Sequence, residues 1–136
     1  MKIKLLLIDD DRVSLLIAKK YLTDYGIKEL VEELIAFTEA GEALNFLKMT
    51  KADQAQCLFW ILLDVNMPTL NGWEFLKLVE KNNLKHLVKV VMLTSSISVV
   101  DKKTANSFDT VYGFFTKPLD LKKCAELKAL IMEKAA

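Results

Sequence analysis

Leu58-Phe59-Trp60-Ile61-Leu62-Leu63 is an apolar run with no polar interruption, and it narrows what the chain can fold into. A short run of this kind reads as a strand, and a strand without alternation must be covered on both faces, as inside a parallel sheet. Asp64 ends the run. Pro68, Asn71 and Gly72 break the regular structure just beyond, so the carboxylate opens onto a loop rather than into the core. In open α/β sheets, ligands bind in the crevice outside the carboxyl ends of the strands. A lone Asp there more often caps a turn, so its meaning depends on what the other strands present beside it.

Four further apolar runs share this design. Ile3 to Ile8 reads as a first buried strand, followed at once by Asp9-Asp10-Asp11. Arg12 to Tyr25 reads as a helix, with Val13, Leu16, Ile17 and Tyr21 at helical spacing and Gly26 as its stop. Leu30 to Phe37 is a weaker strand, interrupted by Glu32 and Glu33 and expected near a sheet edge. A helix over Glu39 to Met49 follows through Ala40, Ala43, Leu44 and Leu47, and Thr50 to Gln56 is a polar connection. Beyond Gly72, the segment Trp73 to Asn82 carries Phe75, Leu76 and Val79 on one helical face. Val88 to Leu93 is a fourth strand ending in Thr94-Ser95-Ser96, and Ser98 to Phe108 a weakly patterned helix. Val111 to Thr116 is a fifth strand ending at Lys117-Pro118. Asp120 is placed to N-cap a last helix with the stripe Leu121, Cys124, Leu127 and Ile131. Five strands alternating with five helices make a parallel sheet covered on both faces, the doubly wound α/β sandwich.

Size and charge exclude several roles. A chain of 136 residues fits one domain that needs neither disulfides nor structural metal to hold its core. A net charge of +1 argues against nucleic acid as an obligatory partner. Cys57 and Cys124 sit in apolar surroundings without metal-ligand spacing and read as reduced core thiols of a cytoplasmic protein. The apolar stretch from Met1 to Ile8 is too short for a signal peptide or a membrane span, so no membrane partner is expected.

A parallel sheet would bring all its strand ends to one edge. Asp9, Asp10 and Asp11 would then meet Asp64, Thr94, Ser95 and Lys117. Two carboxylates about 4 Å apart repel by roughly 4 kcal/mol at an effective dielectric of 20, so such a cluster needs a cation. Oxygen ligands suit Mg²⁺, which binds through one or two carboxylates together with a substrate's phosphate oxygens. Phosphoryl transfer asks mainly for positioning and charge neutralisation, which a metal, a lysine and a hydroxyl supply, and an Asp carboxylate can accept the phosphoryl group covalently. His86, the only histidine, falls in a surface connection away from these strand ends and is not read as a catalytic base.

The motifs Leu7-Ile8-Asp9-Asp10-Asp11, Leu63-Asp64-Val65-Asn66-Met67-Pro68 with Asn71-Gly72, Met92-Leu93-Thr94-Ser95 and Phe114-Phe115-Thr116-Lys117-Pro118 together resemble the response regulator receiver domains of two-component signalling. The resemblance to single-domain chemotaxis regulators runs from about Lys2 to Lys134. It implies the strand order 2-1-3-4-5 and a single receiver domain over residues 1–136, and because the chain ends after the fifth helix, the output domain common in the family is not expected. It implies that Asp64 is the phosphoacceptor, and that Asp9, Asp10, Asp64 and the main-chain carbonyl of Asn66 hold Mg²⁺. Thr94 would donate its hydroxyl to the phosphoryl group, Lys117 would pair with it, the peptide before Pro118 would be cis, and Phe114 would take the aromatic switch position. The implied donor is a histidine kinase or a histidine phosphotransfer protein. Output would pass to a downstream protein through the fourth helix, fifth strand and fifth helix, roughly Ser98 to Ile131, with the protein a monomer or a phosphorylation-linked dimer. Such a protein is not an enzyme beyond catalysing its own phosphorylation and dephosphorylation. Arg12 departs from the family pattern, standing where a proline often follows the acidic group. A phosphate shuttle or sink within a relay is the nearest alternative. A small Mg²⁺-dependent phosphohydrolase is disfavoured because Asn66 stands where its second acid would be. A flavin-binding module is disfavoured because three aspartates follow the first strand in place of a phosphate-binding loop.

Overall fold

The chain alternates strand and helix throughout: β1 (Lys2–Ile8), α1 (Arg12–Asp24), β2 (Glu33–Phe37), α2 (Ala40–Ala52), β3 (Cys57–Asp64), α3 (Gly72–Lys81), β4 (Val88–Thr94), α4 (Val99–Asn106), β5 (Val111–Thr116) and α5 (Leu121–Ala135). These elements are those of a computed structural model, which describes residues 2–52, 57–95 and 99–135. Every neighbouring pair of strands is parallel and the order is β2-β1-β3-β4-β5. The fold is the doubly wound α/β sandwich.

Successive side chains of a strand leave the sheet on opposite faces, and in β1 and β3 both faces are apolar. Leu6, Ile8, Phe59, Ile61 and Leu63 pack in one core with Ala43 and Leu47 of α2 and Phe75, Leu76 and Val79 of α3. Leu5, Leu7, Leu58, Trp60 and Leu62 pack in the other with Leu15, Ala18 and Leu22 of α1 and Cys124, Leu127 and Ile131 of α5. Every residue of β3 is buried. At roughly 1.5–3 kcal/mol for each large side chain removed from water, these two layers hold the central strands rigidly. Cys57 and Cys124 are buried free thiols. Among the described residues no helix is long and apolar enough to cross a membrane.

Several expected details are corrected. The stripe foreseen on α1 is not the buried one: Val13 and Leu16 are 62% and 67% exposed, and Leu15, Ala18 and Leu22 face the sheet. Both stripes have helical spacing. Asp11, whose side chain accepts a hydrogen bond from the Val13 amide, caps the helix start, and packing of Leu15, Ala18 and Leu22 against the sheet and α5 decides which stripe turns inward. Leu121, first residue of α5, is likewise exposed, and the buried stripe starts at Cys124. The second strand begins at Glu33, because Lys28–Leu30 forms a 3₁₀ turn. Its acidic residues lie on the sheet edge, where Glu32 pairs with Lys2 at 3.7 Å and Glu33 with Lys4 at 3.3 Å. α2 continues through Thr50 and Lys51, into the segment expected to be a connection. Thr50 Oγ1 donates to the Phe46 carbonyl, and Lys51 Nζ donates to the Asn82 and Asn83 carbonyls beyond the end of α3. Residues 53–56 of that connection, and Ser96, Ile97 and Ser98 before α4, lie outside the described residues.

Asn71 and Gly72 start α3 rather than merely breaking the chain. Asn71 accepts from the Glu74 amide and the Glu74 side chain accepts from the Asn71 amide, a complete capping box. Gly72 donates its amide to the Val65 carbonyl at 3.0 Å, which draws the helix start against the end of β3. A Cβ at Gly72 would lie 2.7 Å from the Asp64 carbonyl oxygen and 3.1 Å from Val65 Cα, both backbone atoms that cannot swing aside. Gly72→Ala is therefore expected to destabilise the protein by about 2 kcal/mol or more in urea unfolding. Gly41→Ala in α2, where a Cβ meets nothing within 4 Å, should be neutral or stabilising by up to about 1 kcal/mol. Equal stabilities for the two variants would contradict this account of Gly72.

Candidate functional site

Ile8 pairs with Leu63 across β1 and β3, so the residues that follow, Asp9 and Asp64, leave the sheet side by side. Asp9 and Asp64 are buried and Asp10 is exposed, and one carboxylate oxygen from each lies within 4.8 Å of the others. Lys117, beyond the end of β5, brings its Nζ to 2.6 Å from Asp9 Oδ2 and 3.5 Å from Asp64 Oδ2. The Lys117 amide donates to the Thr94 carbonyl at 2.6 Å, joining the ends of β4 and β5 at the site. Thr94 is fully buried. The Lys117–Pro118 peptide is cis.

Smaller contacts fix the acidic groups. Asp9 Oδ1 accepts from the Asp11 amide at 2.9 Å, and Asp64 Oδ1 accepts from the Asn66 amide at 3.3 Å. Asp11 stays outside the cluster, its carboxylate accepting from the Val13 amide and from Ser14 Oγ at the head of α1. The Ser14 hydroxyl and that amide hold its pKa below the ordinary carboxylate value. Burial, followed by the charge of Asp9, pushes the Asp64 carboxyl up to about 6, against the pull of Lys117. Burial opposes the charge on Lys117, but the hydrogen bond to Asp9 and the charges of Asp9 and Asp64 outweigh it, and its pKa is raised.

The donor set consists of oxygen alone, with two buried carboxylates and one open to solvent. That chemistry fits a hard divalent cation such as Mg²⁺, which keeps several waters, and a magnesium ion there would be held by Asp9, Asp10 and Asp64. Asp64 offers a carboxylate oxygen with the Lys117 ammonium 3.5 Å from it.

The other residues singled out in the sequence fall in three places. Asn66 is exposed in the β3–α3 loop next to the cluster. Phe114 is half-buried on β5, opposite Met92, and packs against the core on the α2 and α3 face. His86 is exposed in a 3₁₀ turn preceding β4, at the amino edge of the sheet and away from the carboxylates. One feature had no signal in the sequence. Thr69 adopts φ 65° while the Leu70 amide donates to the Pro68 carbonyl at 2.6 Å, closing a three-residue turn around it. A β-branched residue held there costs on the order of 1–3 kcal/mol.

A model of the response regulator receiver domain matches residues 5–129. The probable transcriptional regulator ycf29 of Pyropia yezoensis is 29% identical over 121 residues, covering 88% of this chain and 49% of that protein. The chain thus spans about half the length of that relative. Among solved structures, a two component response regulator from Cytophaga hutchinsonii superposes with a TM-score of 0.82 at 28% identity, covering 98% of this chain and 99% of that one. The Mn(2+)-bound form of response regulator Rcp1 superposes with a TM-score of 0.70 at 25% identity, covering 96% and 91%.

The raised pKa of Asp64 carries a sign. Between its ordinary value of 3.8 and about 6, the native state holds a proton that the unfolded state has released. Stability from this group is therefore fully present below the unfolded value and is lost as pH rises through about 6. Without divalent metal, the stability of the native protein relative to Asp64→Asn should fall by about 2 kcal/mol over this window. Urea unfolding at a series of pH values measures it, and a difference that stays flat or grows with pH would be the opposite result.

Proposed function

The chain belongs to the response regulator receiver domain family of two-component signalling, and from that premise we propose that it is a phosphorylatable switch with Asp64 as phosphoacceptor. The observation that carries this reading is the convergence of Asp9, Asp10 and Asp64 within 4.8 Å at the carboxyl edge of the sheet, with Lys117 bridging two of them. The donor is a phosphohistidine on a histidine kinase or a histidine phosphotransfer protein. A carboxylate oxygen of Asp64 forms the new bond to phosphorus as the phosphorus–nitrogen bond breaks, and the departing imidazole nitrogen keeps the electron pair and takes up a proton. Lys117 offsets charge on the transferred group, and the buried Thr94 donates its hydroxyl to a phosphoryl oxygen. Asp9, Asp10, Asp64 and the Asn66 carbonyl would hold Mg²⁺, which would supply further neutralisation of negative charge.

A phosphohistidine can reach Asp64 only from a partner docked beside the mouth of the site. The exposed apolar residues Val13, Leu16 and Ile17 of α1 provide a surface for it, and Ile17 borders a small cavity that Lys117 and Pro118 also line. Output passes through α4, β5 and α5. A cleft of about 210 Å³ between α4 and β5, lined by Lys102, Ala105 and Phe114 among others, leaves the Phe114 ring room to move. Drawing the Thr94 hydroxyl toward a phosphoryl group changes packing beneath that cleft, and burying more of an aromatic ring is worth about 1–2 kcal/mol, enough for a roughly tenfold population shift.

Three measurements test the reading. Incubation with a small phosphodonor and Mg²⁺ should add one phosphoryl mass to the native protein and none to Asp64→Asn, while Mg²⁺ should raise the melting temperature of the native protein more than that of the variant. A labelled Asp64→Asn protein would remove Asp64 from the role. Thr94→Ala should still be phosphorylated yet lose the response of Phe114 and its neighbours in amide chemical shifts recorded with Mg²⁺ and beryllofluoride. Equal responses in variant and native protein would rule out this coupling.

A further inference from the structure

The acidic cluster adjoins a cleft of about 660 Å³ between the start of α2 and the β3–α3 loop, with Asp10 and Arg12 on one wall and Glu39, Pro68 and Thr69 on the others. Asp10 belongs to both, so the cleft opens beside the cluster and a charge on its wall acts on whatever approaches the carboxylates. Any phosphodonor is itself an anion and must approach through a field set by Asp9, Asp10 and Asp64. Lys117 is committed, 2.6 Å from Asp9 and 3.5 Å from Asp64. Arg12 is exposed and, among the described residues, enters no salt bridge. Its charge is therefore left for an incoming group. A guanidinium also presents donors in a planar fork that matches phosphoryl and carboxylate oxygens.

We propose that Arg12 is a specificity-determining residue that selects small phosphodonors by charge, favouring a dianionic acyl phosphate over a phosphoramidate that carries one negative charge fewer. This rests on the reading of Asp64 as phosphoacceptor. In both transfers an Asp64 oxygen bonds to phosphorus. With the acyl phosphate the phosphorus–oxygen bond breaks and the carboxylate leaves with the electron pair. With phosphoramidate the phosphorus–nitrogen bond breaks and the already protonated nitrogen leaves as ammonia. Arg12 touches neither breaking bond. It raises the local concentration of the donor by charge, so its effect scales with donor charge and is screened by salt.

Acetyl phosphate and phosphoramidate are the probes. Initial rates of the mass increase are compared, with Mg²⁺, in the native protein and in Arg12→Lys, Arg12→Ala and Arg12→Glu. The ratio of the acetyl phosphate rate to the phosphoramidate rate should fall about threefold in Arg12→Ala and about tenfold in Arg12→Glu at low ionic strength. It should change less than about twofold in Arg12→Lys, and the differences should shrink at about 0.5 M salt. Calorimetric Mg²⁺ titration, which needs no phosphodonor, should show about twofold tighter binding in Arg12→Ala, because a cation has left the field of the cluster. An unchanged ratio across the variants, a drop in Arg12→Lys as large as in Arg12→Ala, or losses that persist at high salt would overturn the assignment while leaving Asp64 in its role. A native protein that gains no mass from either donor would overturn the reading of Asp64, and this inference with it.

Discussion

Carboxylates held within 4.8 Å of one another repel, and the rest of the molecule is arranged so that this repulsion cannot separate them. Asp9 and Asp64 stand at the ends of adjacent central strands, and those strands are clamped between two apolar layers. Each neighbouring pair of charges opposes folding by roughly 4 kcal/mol at an effective dielectric of 20, and burial of Phe59, Trp60 and Phe75, at roughly 2–3 kcal/mol each, more than offsets one such pair. Lys117 relieves part of what remains, and Asp64 relieves more by holding its proton up to about pH 6. The site is thus built to bind positive charge and is stable only because the sheet is.

The same arrangement sets an enclosed strand apart from a more open one. β3 is buried along its whole length, and Gly72 locks the start of α3 to its end. Phe114, by contrast, is half-buried on the outer strand β5, next to a cleft against α4. The carboxylate of Asp64 thus ends a fully enclosed strand, whereas Phe114 borders an open cleft at the edge of the sheet. Thr94 stands between the two, at the end of a strand that pairs with both β3 and β5.

How much of this could be read in the residues depended on whether the signal was local. Leu58 to Leu63 announces a strand covered on both faces because nothing in it alternates, and once the sheet is parallel the strand ends must converge. Asp9, Asp10, Asp64, Thr94 and Lys117 are thereby legible as neighbours. Which stripe of α1 turns inward is not, since Val13, Leu16 and Ile17 share helical spacing with Leu15, Ala18 and Leu22, and only packing against the sheet chooses between them. Polar residues misled in another way. Thr50 and Lys51 looked like a connection, but their partners are the Phe46, Asn82 and Asn83 carbonyls, and the two beyond α3 are remote in sequence. The turn at Thr69 was illegible because a threonine is the wrong residue for it by any local rule.

The outer strand β2 carries a consequence of its own. A free strand edge is a template on which another chain can add, and sheets with such edges are prone to stack into insoluble material. Here the strand is five residues long, and its entrance is lined by Glu32 and Glu33 bound to Lys2 and Lys4. A stranger docking in register would have to strip water from those charges. The acidic residues that make this segment hard to recognise as a strand therefore also disfavour pairing of its edge with another chain.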